Sequence, residues 1–214
     1  EEDPVRMIRA VRFQAKLNAK IEPKLIEAIQ KNSQLLAKIP PARLYEEVIK
    51  LFHNENSIVV FRALFKLGLL KHLFSQTEEN SFVTASLINT SQRIKSGNSV
   101  TPAFLFAVFL WSPLNQRLSQ ISKNNKSRIE LMLEASEYVI NQQTQQVMMP
   151  RWLSSRVKDV WLMQYQLENY NPKKSKTLIR SPRFRMAYDF LVLRSKSLDK
   201  GLKAKAEYWT NIQK

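Results

Sequence analysis

Three glycines in 214 residues, Gly68, Gly97 and Gly201, set the tightest limit on what this chain can fold into. The hairpin turns of a sheet need residues at positive φ, which glycine adopts without steric penalty. A sheet-rich fold would have almost nothing here to turn on. Helices joined by polar and proline-marked connections need far fewer such positions, and apolar residues recur along the chain at helical rather than alternating spacing. The sequence therefore predicts an all-α fold. No two glycines lie close enough to build a phosphate-cradling loop.

The spacing predicts a helix over 4–18, a second from Pro23 to about Ala37, and a third started by Pro40-Pro41 with Leu44, Val48, Leu51 and Phe52 inward. Helices over 57–66 and 69–74 flank a turn at Gly68, with Ile58, Phe61, Leu64 and Phe65 inward. Another is expected from Phe82 to Ile94. Thr101-Pro102 open a segment apolar on every side that Ser112-Pro113 should end. Such a helix is buried, so Phe104, Leu105, Val108 and Leu110 are expected at the centre. Helices follow over 126–147, with a glutamine-rich surface end, and over 152–169, with Leu153, Val157, Val160, Trp161 and Leu167 on one stripe. Ser181-Pro182 should cap a further helix with Phe184, Ala187, Tyr188 and Leu191 inward, and a last helix follows Gly201. Trp152, Trp161 and Trp209 stand at helical spacing and are expected in the core.

The chain has no cysteine and two histidines, His53 and His72, which excludes a disulfide framework and any thiolate zinc site. Both histidines are expected on helix surfaces or in the core rather than as ligands. The longest apolar run, Ala103 to Trp111, is about half of what a membrane span needs. The acidic opening has the wrong chemistry for a secretory leader, so a cytoplasmic protein is expected. Net charge is +16, and residues 151–214 supply a surplus of ten of it, with fifteen Lys and Arg against five Asp and Glu. A one-signed surplus attracts polyanions, and a polyphosphate backbone fits better than an anionic membrane because no strongly apolar face accompanies the charge.

At the start of the chain, Asp3 can cap a helix that Pro4 opens, and Arg6 and Arg9 then line one side of its first turns. An acceptor beside a planar donor is what reading a nucleobase edge requires. Spacing alone describes an ordinary capped helix with a solvated basic face equally well. The opening string EEDPVRMIRAVRF, however, resembles the base-recognition motif, Glu-Asp-x-x-Arg, of the poly(A) polymerase and CCA-adding branch of template-independent nucleotidyltransferases. Three further strings resemble bacterial poly(A) polymerases: IPPARLYEEVIKL at 39–51, VTPAFLFA at 100–107 and SPRFRMAYDFL at 181–191. The opening and closing strings are the specific ones.

The resemblance implies a multi-helix neck (residues 1–52), body (53–150) and basic leg (151–214), and a polynucleotide adenylyltransferase that adds AMP from ATP to RNA 3′ ends. It implies that Asp3 and Arg6 face the Watson–Crick edge of ATP, the carboxylate accepting from N6 and the guanidinium donating to N1. Glu2 would hold Arg6, and Arg43 with Glu46 or Glu47 would support the base-reading helix. Arg9 and Arg12 would either meet phosphates or pair with Glu46 and Glu47, Arg12 being the better candidate for pairing. The basic run Lys173, Lys174, Lys176, Arg180, Arg183 and Arg185, with no acid among its members, is the expected RNA contact.

The family's catalytic head carries an Asp-x-Asp pair, whereas the four aspartates here, Asp3, Asp159, Asp189 and Asp199, form none. The expectation is that the head and its Mg²⁺ lie outside this sequence, that these residues alone transfer nothing, and that the exposed neck is a place for dimerisation. The alternatives are a CCA-adding enzyme and a stand-alone helical RNA-binding protein.

Overall fold

A computed structural model describes residues 3–122 and 126–213, and the fold over those residues is all-α, with twelve α-helices and no strand. The first is α1 (Val5–Leu17), where the Asp3 carboxylate accepts from the Val5 amide at 3.2 Å and Asn18 closes the end at φ 49°. Its buried stripe is Val5, Ile8, Val11 and Ala15. α2 (Pro23–Asn32) ends earlier than expected. The Asn32 side chain donates to the Ala28 carbonyl at 2.8 Å and competes with the helical ladder, and Ser33–Lys38 tighten into a 3₁₀ turn.

α3 (Pro41–Phe52) buries all four residues expected of it. In α4 (Ser57–Lys66), Phe61 and Leu64 are buried, but Phe65 is 51% exposed and Ile58 only partly covered. The stripe of Ser57, Val60, Phe61 and Leu64 leaves those two about a quarter turn round the axis. Gly68 takes φ 71°, which lets the Leu69 amide reach back to the Leu64 carbonyl at 2.9 Å. The segment after it is a 3₁₀ turn, Leu70–His72, rather than the expected helix.

α5 (Ser81–Lys95) is capped by Asn80, whose side chain accepts from the Val83 amide at 2.9 Å. α6 (Pro102–Phe109) is buried on all sides from Ala103 onward. Ser112-Pro113 does not end the helical run as expected. The break falls at Leu110, and Pro113 sits in the first turn of α7 (Trp111–Gln120), where a missing N–H costs nothing. α8 (Arg128–Gln146) begins with a capping box between Ser127 and Glu130. Its glutamine-rich end is not all surface. Gln143 is buried and donates to the Leu73 carbonyl at 2.7 Å, and Gln146 accepts from the Ser75 amide at 3.1 Å.

α9 (Arg151–Glu168) carries the expected buried stripe, while Trp152 is 48% exposed and not in the core. It sits one residue, about 100°, off the direction of Leu153. A 3₁₀ turn at Pro172–Lys174 leads into α10 (Ser175–Ile179). Ser181-Pro182-Arg183 form a turn rather than a cap, and α11 (Phe184–Ser197) starts two residues later than expected. Tyr188 is only partly buried. The last helix, α12 (Lys203–Asn211), follows a turn at Lys200–Leu202.

Two apolar cores organise these elements. The larger centres on α6, where Phe109 meets Phe74, Phe52 and Phe61 with ring centroids 4.8, 5.0 and 5.7 Å away. Trp161 of α9 is fully buried and donates its indole N–H to the Ala107 carbonyl at 3.1 Å. The smaller core holds Met163, Leu167, Phe184, Ala187, Leu191 and Trp209, with the Trp209 indole donating to the Leu167 carbonyl at 2.9 Å. Beside it the buried Arg194 donates to Glu168 at 2.6 Å and Gln164 at 3.1 Å, and its guanidinium lies 4.4 Å from the Trp111 ring centroid. No helix among the described residues is long and apolar enough to cross a membrane.

His53 ends α3 with its Nε2 2.8 Å from the Val100 carbonyl, so Nε2–H donates and the buried Nδ1 has no partner among the described residues. Burial pushes its pKa below the ordinary 6.5, against the smaller opposing effect of its backbone hydrogen bonds, and burial pushes His72 the same way. The folded state therefore binds fewer protons than the unfolded one. Stability is expected to be fully present above about pH 6.5 and to be lost as pH falls through the lower folded values. Urea midpoints measured from about pH 7.5 down to pH 5 should decline, and His53→Gln should flatten that decline.

Candidate functional site

α1 crosses α3 through the packing of its buried stripe, and the crossing sets the charged side chains at the edge of the contact face to face. The Asp3 carboxylate, besides taking the Val5 amide, is paired with the Arg43 guanidinium from the first turn of α3. Arg9 donates through Nε and Nη2 to Oε1 of Glu47 at 3.2 and 2.7 Å, with Lys50 Nζ at 3.5 Å on the same oxygen. Glu47 is 3% exposed. Burial alone would push its carboxyl up, but the hydrogen bond and charge of Arg9, backed by Lys50, hold it below the usual carboxylate range. Its hydrogen bond raises Arg9 in turn.

This differs from the expectation that Arg12 would be the better partner for the glutamates. The crossing brings Glu47 opposite Arg9, one turn earlier, and the Arg12 guanidinium lies 5.1 Å from the Phe13 ring centroid. Glu46 is exposed, and Glu2 lies outside the described residues. Arg6 is exposed at the rim of an open groove of about 1070 Å³ between α1, α2 and the turn before α3. Asp3, Arg6 and Arg43 line that groove together with Leu25, Ile29 and Lys38. It joins an acceptor and guanidinium donors to apolar side chains, the composition a planar heterocycle needs.

The basic run of the C-terminal third is brought together and held. Asn171 accepts from the Lys173 amide at 3.0 Å, and the buried Ser175 hydroxyl bonds Asn171 O at 3.2 Å and the Tyr208 hydroxyl at 2.9 Å. Tyr170 stacks on Tyr208 with centroids 3.9 Å apart. Lys173, Lys174, Lys176, Arg180, Arg183 and Arg185 are all exposed as a result. The run holds no acid in sequence, yet two of its members meet one in space. Arg183 pairs with Asp159 of α9 at 2.8 Å, and Arg185 with Asp189 of α11 at 3.4 Å. Four cations are left on the turn without a carboxylate partner among the described residues.

Two family models match the chain. One, described as the probable RNA- and SrmB-binding site of polymerase A, covers residues 18–80, and the other, the polymerase A arginine-rich C-terminus, covers residues 124–214. The chain is 34% identical to poly(A) polymerase I of Salmonella typhi across 99% of its own length. Over most of its length the chain is thus similar to bacterial poly(A) polymerases. Poly(A) polymerase I of Haemophilus influenzae is 30% identical across the whole chain. The chain spans about half the length of these curated relatives, 48% and 50%. A CCA-adding enzyme of Lactobacillus delbrueckii subsp. bulgaricus is 41% identical over 68 residues, 32% of the chain. The Mg²⁺ that this family's resemblance assigns to a catalytic head does not fit the described residues, among which no three His, Asp or Glu gather to hold a metal.

Sequence reading gave no role to Arg156, which the fold places in a pocket with Arg185 of the basic run, and expected Trp152, one turn before it, in the core. Arg156 and Trp152 project from the same face of α9, one turn apart, and both are exposed. Their i, i+4 spacing was the available signal.

Proposed function

We propose that this chain is the substrate-recognition part of a polynucleotide adenylyltransferase, reading ATP at the groove of α1 and holding RNA at the basic turn of the C-terminal third. The transfer step requires a carboxylate pair and its Mg²⁺, and the sequence offers no Asp-x-Asp for it. Asp3 accepts from adenine N6 and Arg6 donates to N1, a pairing that guanine mismatches at both atoms. Arg43 and the Arg9–Glu47 pair lock the helix that presents them. On this reading residues 1–52 act as neck, 53–150 as body and 151–214 as leg, in a cytoplasmic enzyme.

The single observation that carries the RNA assignment is the exposed, carboxylate-free group of Lys173, Lys174, Lys176 and Arg180 on a turn pinned by Ser175 and Tyr208. Phosphate contacts from such groups are blind to sequence, which suits an enzyme that must hold any 3′ end. A CCA-adding activity is the weaker alternative, because likeness to that enzyme stops within a third of the chain.

Anisotropy of a labelled single-stranded RNA titrated with the chain over a salt series tests the assignment. Affinity should fall steeply with salt, and charge reversal at Lys173, Lys174 and Lys176 together should lower it by at least tenfold at about 0.1 M salt. No binding at low salt would overturn the RNA reading.

A further inference from the structure

A second cationic feature lies outside the turn just described. Between the end of α5, the start of α6, the first half of α9 and the start of α11 sits a pocket of about 270 Å³. Its lining includes Thr90, Arg93, Thr101, Arg156, Arg185 and Asp189. Asp189 divides its two oxygens between two guanidiniums, with Arg93 Nη1 at 3.1 Å on one and Arg185 Nε at 3.4 Å on the other. Arg93 hydrogen-bonds the carboxylate while Arg185 only pairs with it, so both keep donors of their forks for a ligand. Arg156 adds a third positive charge from α9, so three guanidiniums face one carboxylate. The hydroxyl of Thr90 is buried with no hydrogen-bond partner among the described residues. A buried polar group left unsatisfied costs free energy, and a pocket with an excess of guanidinium donors suits an anion.

What kind of anion follows from the neighbour. Trp152 lies one helical turn before Arg156 on the same face of α9, with nearly half its surface open to solvent. An exposed indole one helical turn from a pocket-lining guanidinium offers one surface for a base and one for a phosphate. We propose that Arg93, Arg156 and Arg185 hold a backbone phosphate of single-stranded RNA and that Trp152 stacks the adjoining base. The site rests on the RNA-binding reading above and extends it: the strand runs from the basic turn, across Arg185, into this pocket. The Arg183–Asp159 pair stands between the two, since Asp159 follows Arg156 by less than one turn.

Substitutions at two exposed residues, with different signatures, test it in the same anisotropy series. Arg156→Glu should weaken binding at least fivefold and make the salt dependence shallower by about 0.7 in the log–log slope, the share of one phosphate on a single strand. Trp152→Ala should weaken binding about fivefold or more with the slope unchanged, because stacking releases no counterions. Arg156→Lys, keeping charge without the fork, should fall between parent and Arg156→Glu. Circular dichroism of each variant should match the parent. Parental affinity and slope in both Arg156→Glu and Trp152→Ala would overturn the site while leaving RNA binding at the basic turn intact. A parent chain that fails to bind RNA overturns both.

Discussion

Trp161→Ala should destabilise the fold by about 3–5 kcal/mol, read as a fall in the urea midpoint at unchanged slope. The side chain is fully buried where α9 packs on α6, and its indole N–H satisfies the Ala107 carbonyl. Truncation opens a cavity in the larger core, where the Phe109 cluster is already close-packed and has little freedom to collapse inward. Trp161→Phe keeps most of the volume but orphans that hydrogen bond, so about 1–2 kcal/mol is expected. Equal losses from the two substitutions would show that the hydrogen bond, not the packing, ties α9 to α6.

Arg9→Ala should lower the urea midpoint near neutral pH, though by less than the loss of a fully buried partner would, because Arg9 itself is part-exposed. It leaves the buried Glu47 carboxylate with only Lys50 at 3.5 Å. The signature is the pH dependence. In the parent, Glu47 titrates below its ordinary value near 4.5, so its contribution is present above that value and lost as pH falls through the folded pKa. Without Arg9, burial dominates and the folded pKa rises above the ordinary value, so Arg9→Ala regains stability relative to the parent as pH falls from about 6 to 4. Denaturation series of both proteins over that range should converge. Curves that stay parallel would mean Glu47 is not the group that Arg9 serves. Arg9→Ala with Glu47→Leu should recover much of the loss.

Much of the fold was legible because its signals are local. The α3 stripe of Leu44, Val48, Leu51 and Phe52 and the all-round apolar α6 are patterns within a dozen residues, and both are buried as read. Trp152 and Trp161 show where that ends. Both stand at helical spacing, and only the phase of the stripe, fixed by what α9 packs against, puts one inside and one outside. The same holds for Phe65, a quarter turn off the buried line of α4. At the groove, the residue types were readable from the opening string, but whether Arg9 or Arg12 meets Glu47 depends on how α1 crosses α3. In the basic run, a stretch without acids in sequence met Asp159 and Asp189 through tertiary packing. Arg93, from α5, could be joined to Arg156 and Arg185 only by the fold.

α9 and α11 each serve both apolar cores. Val160 and Trp161 face the larger and Met163 and Leu167 the smaller, while α11 sends Phe190 to one and Ala187 and Leu191 to the other. Neither helix has a free joint between its two duties. The guanidiniums that they carry, Arg156 on α9 and Arg185 on α11, thus sit on a bracket welded to the frame rather than on an arm with a pivot. A ligand bridging those two side chains meets a spacing set by both cores at once, as a gauge block sets a gap.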